Sequence, residues 1–518
     1  MAKAFLASLL LIVVLVPIAH SAEPNAVQVD WLGDAAPATT QGVSFGVPWP
    51  RGAIRKGEAL HIVDSMGHAI PSQTWPLAYW PDGSMKWTGH ALLADAETGG
   101  PFTIEPGEIG APQMPVTVVD SADSITISTG ALTAQLKKTG AQLISSISIG
   151  DKLIASNGTL VCTLEDRSQY ETQRTLREED FASQIDSVNV EQSGPVRAVV
   201  KITGKHKSLG GDRAWLPFIV RLYFFAGSDS IRIVHTIIFD GDEQKDFIKG
   251  LGIRFDVPMR EQFHNRHMRF AGETGIFAES VQLISGRRFA GPGLYQKQIE
   301  GKPLPNVADL PRGQLVQEMA VWDAYKLVQI SPDSYTILKR TNDKSSWIRS
   351  TGGTRSIGAA FVGDVDGGLS LAMKNFWQES PTELEITGAS TDTAHLTLWL
   401  WSPDSPAMDM RHYDTKGHGL EASYEDYQPG FSSAMGVART SELTVRALGQ
   451  VPANLELLNF AKAVATPPHL VCAPEYYHSI PVLGVWSLPD RSTPGKAWIE
   501  DQLDKAITFY QSQIEQRR

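Results

Sequence analysis

Two runs near the middle of the chain decide the fold. Residues 218–224 read Phe-Ile-Val-Arg-Leu-Tyr-Phe, and residues 231–235 read Ile-Arg-Ile-Val-His, with Gly and Asp in the link between them. Branched and aromatic residues favour strands, and apolar residues alternate with polar ones in both runs. Such alternation places one face of a strand in a core and the other in solvent, which is typical of antiparallel sheets. The runs therefore predict antiparallel strands in stacked sheets.

The same pattern covers most of the chain. Similar runs occur from Val27 to about Val445, and 45 glycines and 31 prolines suit the many turns that such strands need. Prolines and glycines crowd into residues 106–115, where no periodicity is visible. The sequence therefore predicts a mainly β protein, with a small N-terminal β unit at residues 25–105 and a large antiparallel region at residues 116–448.

The hydrophobic period changes from 2 to 3.6 after Pro452. Residues 453–464 predict one helix, and Thr493-Pro494 begins another. The apolar stripe of the second helix contains Trp498, Leu503, Ile507, Tyr510 and Ile514. Two helices cannot close a core of their own, so residues 452–518 predict the start of a helical domain. The alternative is that the last helix docks on the sheets.

Composition excludes several classes of partner. The 518 residues carry a formal net charge of −11 and contain no Lys/Arg block, which makes nucleic acid a poor partner. An acidic ligand remains compatible, because a local cationic cleft can form in an anionic protein. We find no phosphate-binding loop and no GxGxxG after a strand, so we expect no nucleotide cofactor.

The first residues predict export. An apolar run from Ala4 to Ile18 is followed by small residues around a Ser21/Ala22 junction, which is typical of a secretory signal peptide at residues 1–21. The run is too short for a spanning helix, so we expect a secreted or periplasmic protein without membrane insertion after cleavage.

The two cysteines, Cys162 and Cys472, cannot form a disulfide framework; one long-range bridge is the alternative to two unrelated thiols.

The densest polar and aromatic cluster contains Arg411, His412 and Tyr413 in succession. Removing a weakly acidic proton beside a carboxylate needs a cation for the carboxylate, a base for the proton and an acid for the leaving oxygen. These residue types therefore predict a catalytic site, and a solvated loop is the alternative. In an extended strand Arg411 and Tyr413 share one face and His412 lies on the other, so only an irregular segment lets all three converge.

A second cluster combines aromatic rings with amides and cations. Pyranose rings pack on indole while their hydroxyls bind polar groups, so such a set predicts a sugar-binding surface. The predicted substrate-binding residues are Trp322, Tyr325, Arg340, Lys374, Trp377 and Gln378. Core packing is the alternative for the tryptophans.

His264 and His267 lack the spacing of a helical zinc pair, and turn chemistry explains the Asp-rich loops, so we predict no metal.

Several motifs resemble one known family. They are Trp80-Pro-Asp-Gly-Ser-Met-Lys-Trp87, Asp323-Ala-Tyr325, Lys339-Arg-Thr341, Asn375-Phe-Trp-Gln378, Met408-Asp-Met-Arg-His-Tyr-Asp414, Ala438-Arg-Thr440 and Gly484-Val-Trp-Ser-Leu-Pro-Asp490. The set is similar to the exo-rhamnogalacturonan lyase family, polysaccharide lyase family 26, and its uncharacterised bacterial relatives. The resemblance implies a RIFT-type β-barrel, a β-sandwich of the carbohydrate-lyase type and an α/α toroid. Because only about two toroid helices are present, we expect the sequence to end inside that domain.

The resemblance also implies eliminative cleavage of rhamnogalacturonan I. We therefore predict a secreted lyase that binds an acidic polysaccharide or oligosaccharide, with Arg411 neutralising the substrate carboxylate and His412 or Tyr413 moving the proton. Trp377, Gln378 and Lys374 would hold the sugar, and Arg340 a second carboxylate. The alternatives are a non-catalytic glycan-binding or structural β-protein and, third, a glycoside hydrolase.

Overall fold

The computed structural model describes residues 25–516, apart from residues 34–35, 285–292, 311–312 and 412–432. The early strands are β1 (Val27–Trp31), β2 (Gln41–Pro48), β3 (Leu60–Val63), β4 (Ala69–Ile70), β5 (Ser72–Tyr79), β6 (Met85–Ala94) and β7 (Phe102–Pro106). The next group is β8 (Thr117–Asp120), β9 (Ser124–Ser128), β10 (Thr133–Lys137), β11 (Ile144–Ile149), β12 (Lys152–Asp166), β13 (Arg177–Ser193), β14 (Arg197–Ser208), β15 (Ala214–Phe225), β16 (Ser230–Ile238) and β17 (Asp246–Pro258).

The remaining strands and the helices complete the order of elements. The strands are β18 (Arg266–Ala271), β19 (Ile276–Ser280), β20 (Ala324–Ser331), β21 (Ser334–Arg340), β22 (Ile348–Gly353), β23 (Ala359–Asp364), β24 (Gly367–Met373), β25 (Thr382–Thr387), β26 (Thr393–Trp401), β27 (Ala438–Leu448) and β28 (Leu470–Cys472). The α-helices of the described residues are α1 (Tyr170–Gln173), α2 (Leu294–Ile299), α3 (Gly313–Gln317), α4 (Asn454–Ala465), α5 (Pro474–Ser479) and α6 (Pro494–Gln516).

A small N-terminal barrel is built from two sheets. One sheet has the strand order β28-β1-β7-β3-β4, and the other has the order β2-β6-β5. Their inward side chains, including Val47, Leu60 and Phe102, form a separate core. The last strand of this barrel, β28, comes from the far end of the chain and pairs with β1. The sequence did not show this return strand, because its pairing is not local.

Two antiparallel sheets stack into a large sandwich. One sheet has the order β14-β15-β16-β27-β24-β23-β18-β19, and the other has the order β13-β12-β17-β26-β25-β20-β21-β22. Pairing between β13 and β14 joins them. Every second residue of β16 is buried, including Ile231 and Ile233, as the alternation predicted.

The two cysteines are free and buried in different cores, Cys162 in the sandwich and Cys472 in the barrel, so they are not bridged.

Arg197 holds the barrel against the sandwich. Its guanidinium lies 3.9 Å from the centre of the Trp75 ring and donates a 2.7 Å hydrogen bond to the Ser44 hydroxyl. The Gln73 side-chain oxygen accepts hydrogen bonds from the backbone N–H groups of Val196 (3.1 Å) and Arg197 (2.8 Å). Burial lowers the pKa of Arg197 to about 10, which leaves it charged at neutral pH.

The two late helices differ in their environment. Helix α4 buries Leu457, Phe460 and Ala461 in a cluster with the sandwich residue Phe361. Helix α6 leaves large apolar side chains in solvent; their exposed fractions are 64% for Trp498, 53% for Leu503, 56% for Ile507 and 68% for Tyr510. The predicted stripe is therefore exposed on α6 at these four residues, while the side chain of Ile514 lies outside the described part; α4, in contrast, docks on the sheets. Among the described residues, no helix has the length and apolar composition needed to cross a bilayer.

This contrast predicts different effects of two truncations. Deleting residues 489–518 should leave the free energy of unfolding nearly unchanged, because the ion pairs of α6 that the structure describes join residues 490–504 to one another. Deleting residues 453–518 should lower it by several kcal/mol, at about 1.5–3 kcal/mol for each buried large side chain removed. Chemical denaturation of both variants measures the difference. Equal stability of the two truncated proteins would contradict the docking of α4 and β28.

Candidate functional site

The outer face of the second sheet carries a cluster of charged and tryptophan side chains. Cross-strand register places Lys326 opposite Glu385, and Glu383 opposite Trp399. These side chains point away from the core because their neighbours Leu384 and Leu398 point into it. We call this surface the tryptophan face; its residues are Lys326, Arg340, Trp347, Glu383, Glu385, Trp399 and Asp404.

Glycine makes room for one of the indole rings. Gly252 lies opposite Trp399 in the register, and a Cβ at Gly252 would lie 3.1 Å from the Trp399 ring atom Cε3 and 2.5 Å from the Leu398 carbonyl oxygen. A Cβ at Gly250 would also crowd the indole, at 3.2 Å from Cζ3. The indole Nε1 donates a 3.0 Å hydrogen bond to Glu385 Oε2. Trp399 is therefore held across β17 and β25, with its ring half-buried on the sheet surface.

Cations surround the second tryptophan of the face. Lys326 Nζ lies 4.5 Å from the centre of the Trp347 ring, and the Arg340 guanidinium lies 4.4 Å from it. Lys326 also forms an ion pair with Asp404. Indole rings beside fixed donors and acceptors suit a sugar, whose C–H surface packs on the ring while its hydroxyls bind the polar groups.

Glu383 is the buried acid of the tryptophan face. Its side chain is almost fully buried and accepts a 2.5 Å hydrogen bond from the Ser402 hydroxyl. Burial raises the pKa of Glu383 to about 8, with further contributions from the negative charges of Asp404 and Glu385. The carboxyl group therefore keeps its proton at neutral pH, and carboxylic acids tuned in this way occur at catalytic sites.

Arg411 lies at the end of the same sheet where β17 begins. Its guanidinium makes two hydrogen bonds to Asp409, at 2.7 and 3.0 Å, and lies 5.2 Å from the centre of the Phe247 ring. Arg167 lies 4.0 Å from the same ring, so two guanidinium groups flank one aromatic residue. The predicted partners His412 and Tyr413 lie outside the described residues.

The loop after β24 separates three residues that are close in sequence. Lys374 lines a cavity together with Glu442, whereas Trp377 lies under Arg355 with 4.8 Å between its ring centre and the guanidinium. Gln378 is exposed, and the next residue, Glu379, accepts hydrogen bonds from Arg439 and Ser441. The structure therefore does not gather Lys374 and Trp377 around one ligand position.

Of the six predicted binding residues, Arg340 is the one on the tryptophan face. Tyr325 is fully buried in the sandwich core, where its hydroxyl donates a 3.5 Å hydrogen bond to the Ser280 carbonyl and burial raises its pKa well above the usual value. Trp322 packs against that core, with Lys339 Nζ 4.0 Å from its ring centre. The inward direction of Tyr325 follows from strand parity, which places Tyr325 and Lys339 opposite each other on the inner side.

Sequence reasoning overlooked most of the tryptophan face. The signal was present in residues 382–387, Thr-Glu-Leu-Glu-Ile-Thr, where two glutamates alternate with apolar residues and must therefore share one face. Their proximity to Lys326 and Trp347 depends on which strands are neighbours, which alternation does not reveal.

Within the described part of the chain, no group of three or more His, Cys, Asp or Glu side chains could hold a metal ion.

A barrel, an antiparallel sandwich and C-terminal helices define a class of three-part, mainly β proteins. Family models match each part in order: a PcRGLX-like N-terminal RIFT barrel domain at residues 25–107, a PcRGLX-like central beta sandwich domain at residues 116–462 and a PcRGLX-like C-terminal alpha/alpha toroid domain at residues 467–518. The chain belongs to this PcRGLX-like family, the rhamnogalacturonan lyase-like group that its motifs indicated.

The chain is also similar to individual proteins. It is 38% identical over 493 residues to the uncharacterised protein YetA of Bacillus subtilis, and the match covers 95% of this chain and 57% of YetA. Among solved structures, a glycosyl hydrolase family 38 protein from Enterococcus faecalis matches 87% of this chain and 47% of its own, at 8% identity and a TM-score of 0.45. A putative aldose 1-epimerase from Klebsiella pneumoniae matches 76% of this chain and 95% of its own, at 10% identity and a TM-score of 0.30.

The shifted pKa of Glu383 predicts a pH-dependent effect of Glu383→Gln. Between its ordinary pKa and about 8, the unfolded protein has released this proton and the folded protein has kept it, so raising the pH favours unfolding. Glutamine removes this penalty. The gain in unfolding free energy from Glu383→Gln should therefore grow between pH 5 and pH 8.5, by a few kcal/mol in order of magnitude.

Urea denaturation at both pH values measures this change. The exposed Glu178→Gln variant serves as the control for the loss of one carboxyl group. A gain from Glu383→Gln that is the same at pH 5 and pH 8.5 would show that Glu383 ionises as readily in the folded protein as in the unfolded one.

Proposed function

We propose that this protein is a polysaccharide lyase that cleaves a uronate-containing pectic polymer resembling rhamnogalacturonan I by β-elimination. The observation that carries the proposal is the tryptophan face, a surface of indoles and cations with a buried carboxyl group beneath it, in a chain with three PcRGLX-like domains. The chain spans 57% of the length of YetA. The activity of a complete family member is therefore a proposal for this chain.

The proposed reaction breaks the C4–O4 bond of a uronate. A base takes the proton from C5, the C4=C5 double bond forms as the C4–O4 bond breaks, and an acid gives a proton to the departing oxygen. Negative charge develops on C5 and on the carboxylate, so a nearby cation stabilises the transition state. We assign Arg411 to the carboxylate and His412 or Tyr413 to proton transfer.

The surroundings of Arg411 bear on this assignment. Arg411 is already paired with Asp409, so a substrate carboxylate would share or replace that partner. Arg167 stays beside it on the Phe247 ring and supplies a second positive charge, although Glu165 pairs with it at 2.6 Å. Arg340 and Lys326, on the tryptophan face, could accept a second carboxylate of an extended polymer.

Lyase activity is measured by ultraviolet absorbance, because the conjugated C4=C5 uronate absorbs and a hydrolysis product does not. With rhamnogalacturonan I as substrate, Arg411→Ala, His412→Gln and Tyr413→Phe should each lower turnover by about 10²-fold, the typical effect of losing a positioned catalytic group. Arg221→Ala removes a comparable surface ion pair between Arg221, on β15 of the other sheet, and Glu191 of β13, and it should retain activity. Near-normal turnover of all three variants would show that this cluster is structural.

A non-catalytic glycan-binding protein is the second candidate. It is favoured by the Asp409 pairing of Arg411 and by the almost complete burial of Glu383, since neither group is free to react as the structure stands. Such a protein would be retained on immobilised rhamnogalacturonan I and would generate no ultraviolet absorbance. Reducing ends without ultraviolet absorbance would instead indicate a glycoside hydrolase.

We also propose that the protein is exported. The apolar run at residues 4–18 and the small residues around Ala22 support cleavage between Ser21 and Ala22. After expression in a bacterium, the protein in the periplasm or medium should begin near Ala22. Intact-mass measurement tests this, and an exported protein that keeps Met1 would contradict it.

A further inference from the structure

An elongated cleft lies where the barrel, the sandwich and the segment after α4 meet. Its narrowest part encloses about 140 Å³, and two shallower hollows of about 530 and 500 Å³ adjoin it. The central part shares Thr39 and Phe460 with the first hollow, and Gln41 and His469 with the second, so the three form one cleft. A cavity of about 150 Å³ can hold a six-membered ring, and the hollows leave space for neighbouring units.

The centre of the cleft carries more positive than negative groups. Arg232 and Glu442 neutralise each other through two hydrogen bonds of 2.7 and 2.9 Å. Lys374 is half-buried in the same cavity, and His469 lies exposed at its mouth. Among the described residues, Lys374 has a backbone hydrogen bond to Glu442 but its ammonium group has no ion-pair partner. Lys374 is therefore a half-buried cation that a ligand can reach from the cavity.

Acidic groups in the first hollow limit what can bind there. Asp95 and Glu97 line it, and Arg446 is paired with Asp229 at 2.9 Å and with Glu456 at 3.1 Å. Burial raises the pKa of Glu442, but the pairing with Arg232 opposes this effect, and the net pKa is lowered. Lys374 and His469 lie close enough to Glu442 to make smaller contributions that also lower it. One anionic ligand group fits beside Lys374, whereas a second anionic group placed in the first hollow would be repelled by Asp95 and Glu97.

We propose that this cleft is a subsite for a carboxylate-bearing sugar, with the carboxylate bound by Lys374 and His469. The hydroxyls of Ser44, Ser230 and Thr444 and the Glu442 carboxylate offer the donors and acceptors that sugar hydroxyls need. Phe225 and Phe460 supply apolar surface for a ring. The choice of a uronate rests on the proposed function, but binding requires no reaction, so the two can be tested separately.

The test compares galacturonate with its methyl ester, which has the same ring but no charge. Isothermal calorimetry on the protein at low salt should show saturable galacturonate binding, and the methyl ester should bind at least about tenfold more weakly, as for the loss of one charge-assisted hydrogen bond. Lys374→Met should weaken galacturonate binding to a similar degree and should no longer distinguish the two ligands. His469→Gln should produce a smaller loss.

Lys201→Met is the matched control, because Lys201 is also half-buried, lies on β14 of the same sheet and does not line the cleft. It should leave both affinities unchanged, and the melting temperature of each variant checks its folding. Absence of galacturonate binding, equal binding of the ester, or unchanged discrimination in Lys374→Met would overturn the proposal.

Arg411→Ala separates this proposal from the lyase assignment. It should keep galacturonate binding in the cleft while losing elimination activity. If galacturonate binds through Lys374 but no ultraviolet product forms, the subsite stands and the lyase function fails. If product forms but Lys374→Met binds galacturonate normally, the lyase function stands and the subsite fails.

Discussion

The strict alternation of side chains along paired antiparallel strands is the constraint on which the rest of this structure depends. The central strands of the sandwich each give one row of side chains to an apolar layer between the sheets, and that row consists of residues such as Ile233, Leu384 and Leu398. Burial of this layer is the dominant favourable contribution to folding. Polar side chains are therefore concentrated on the outer faces, at the strand ends and at the junctions between modules.

The tryptophan face shows how an outer sheet surface becomes chemically distinctive. Trp399 lies beside two glycines of β17, and the loop that contains Ser402 and Asp404 covers Glu383. Removing Glu383 from water costs more for the charged form than for the neutral form, so the proton stays. Burial also disfavours the charged form of Arg197, between the barrel and the sandwich. Because the ordinary pKa of arginine is far above neutrality, the lowered value of about 10 still leaves Arg197 charged.

The connection between the modules depends on one non-local pairing. After α4 the chain returns to the barrel, where Val29, Asp30 and Trp31 of β1 pair with Cys472, Val471 and Leu470 of β28. Leu470 and Cys472 enter the barrel core, and the Tyr476 hydroxyl donates a 2.8 Å hydrogen bond to the Pro48 carbonyl. This return places His469 at the mouth of the cleft opposite the sandwich residue Lys374, which lies 95 positions earlier in the chain.

The sequence by itself determined the mainly β character, the small barrel and large sandwich in order, the two late helices and the family, because alternation, turn residues and local motifs are properties of neighbouring positions. It also predicted Arg340 for a binding surface, and the structure places this residue beside Trp347 on the tryptophan face. The apolar stripe of α6 was visible in its helical spacing. The sequence also predicted Tyr325 and Trp322 for that surface, whereas the structure buries Tyr325 in the sandwich core and packs Trp322 against it. These residue types suit a sugar site and a core equally well. Only the tertiary structure decided that Lys374 lines a cleft away from Trp377, that Glu383 is buried beside Asp404, and that β28 completes the barrel. These outcomes depend on strand order and on burial, and both are set by contacts between residues far apart in the chain.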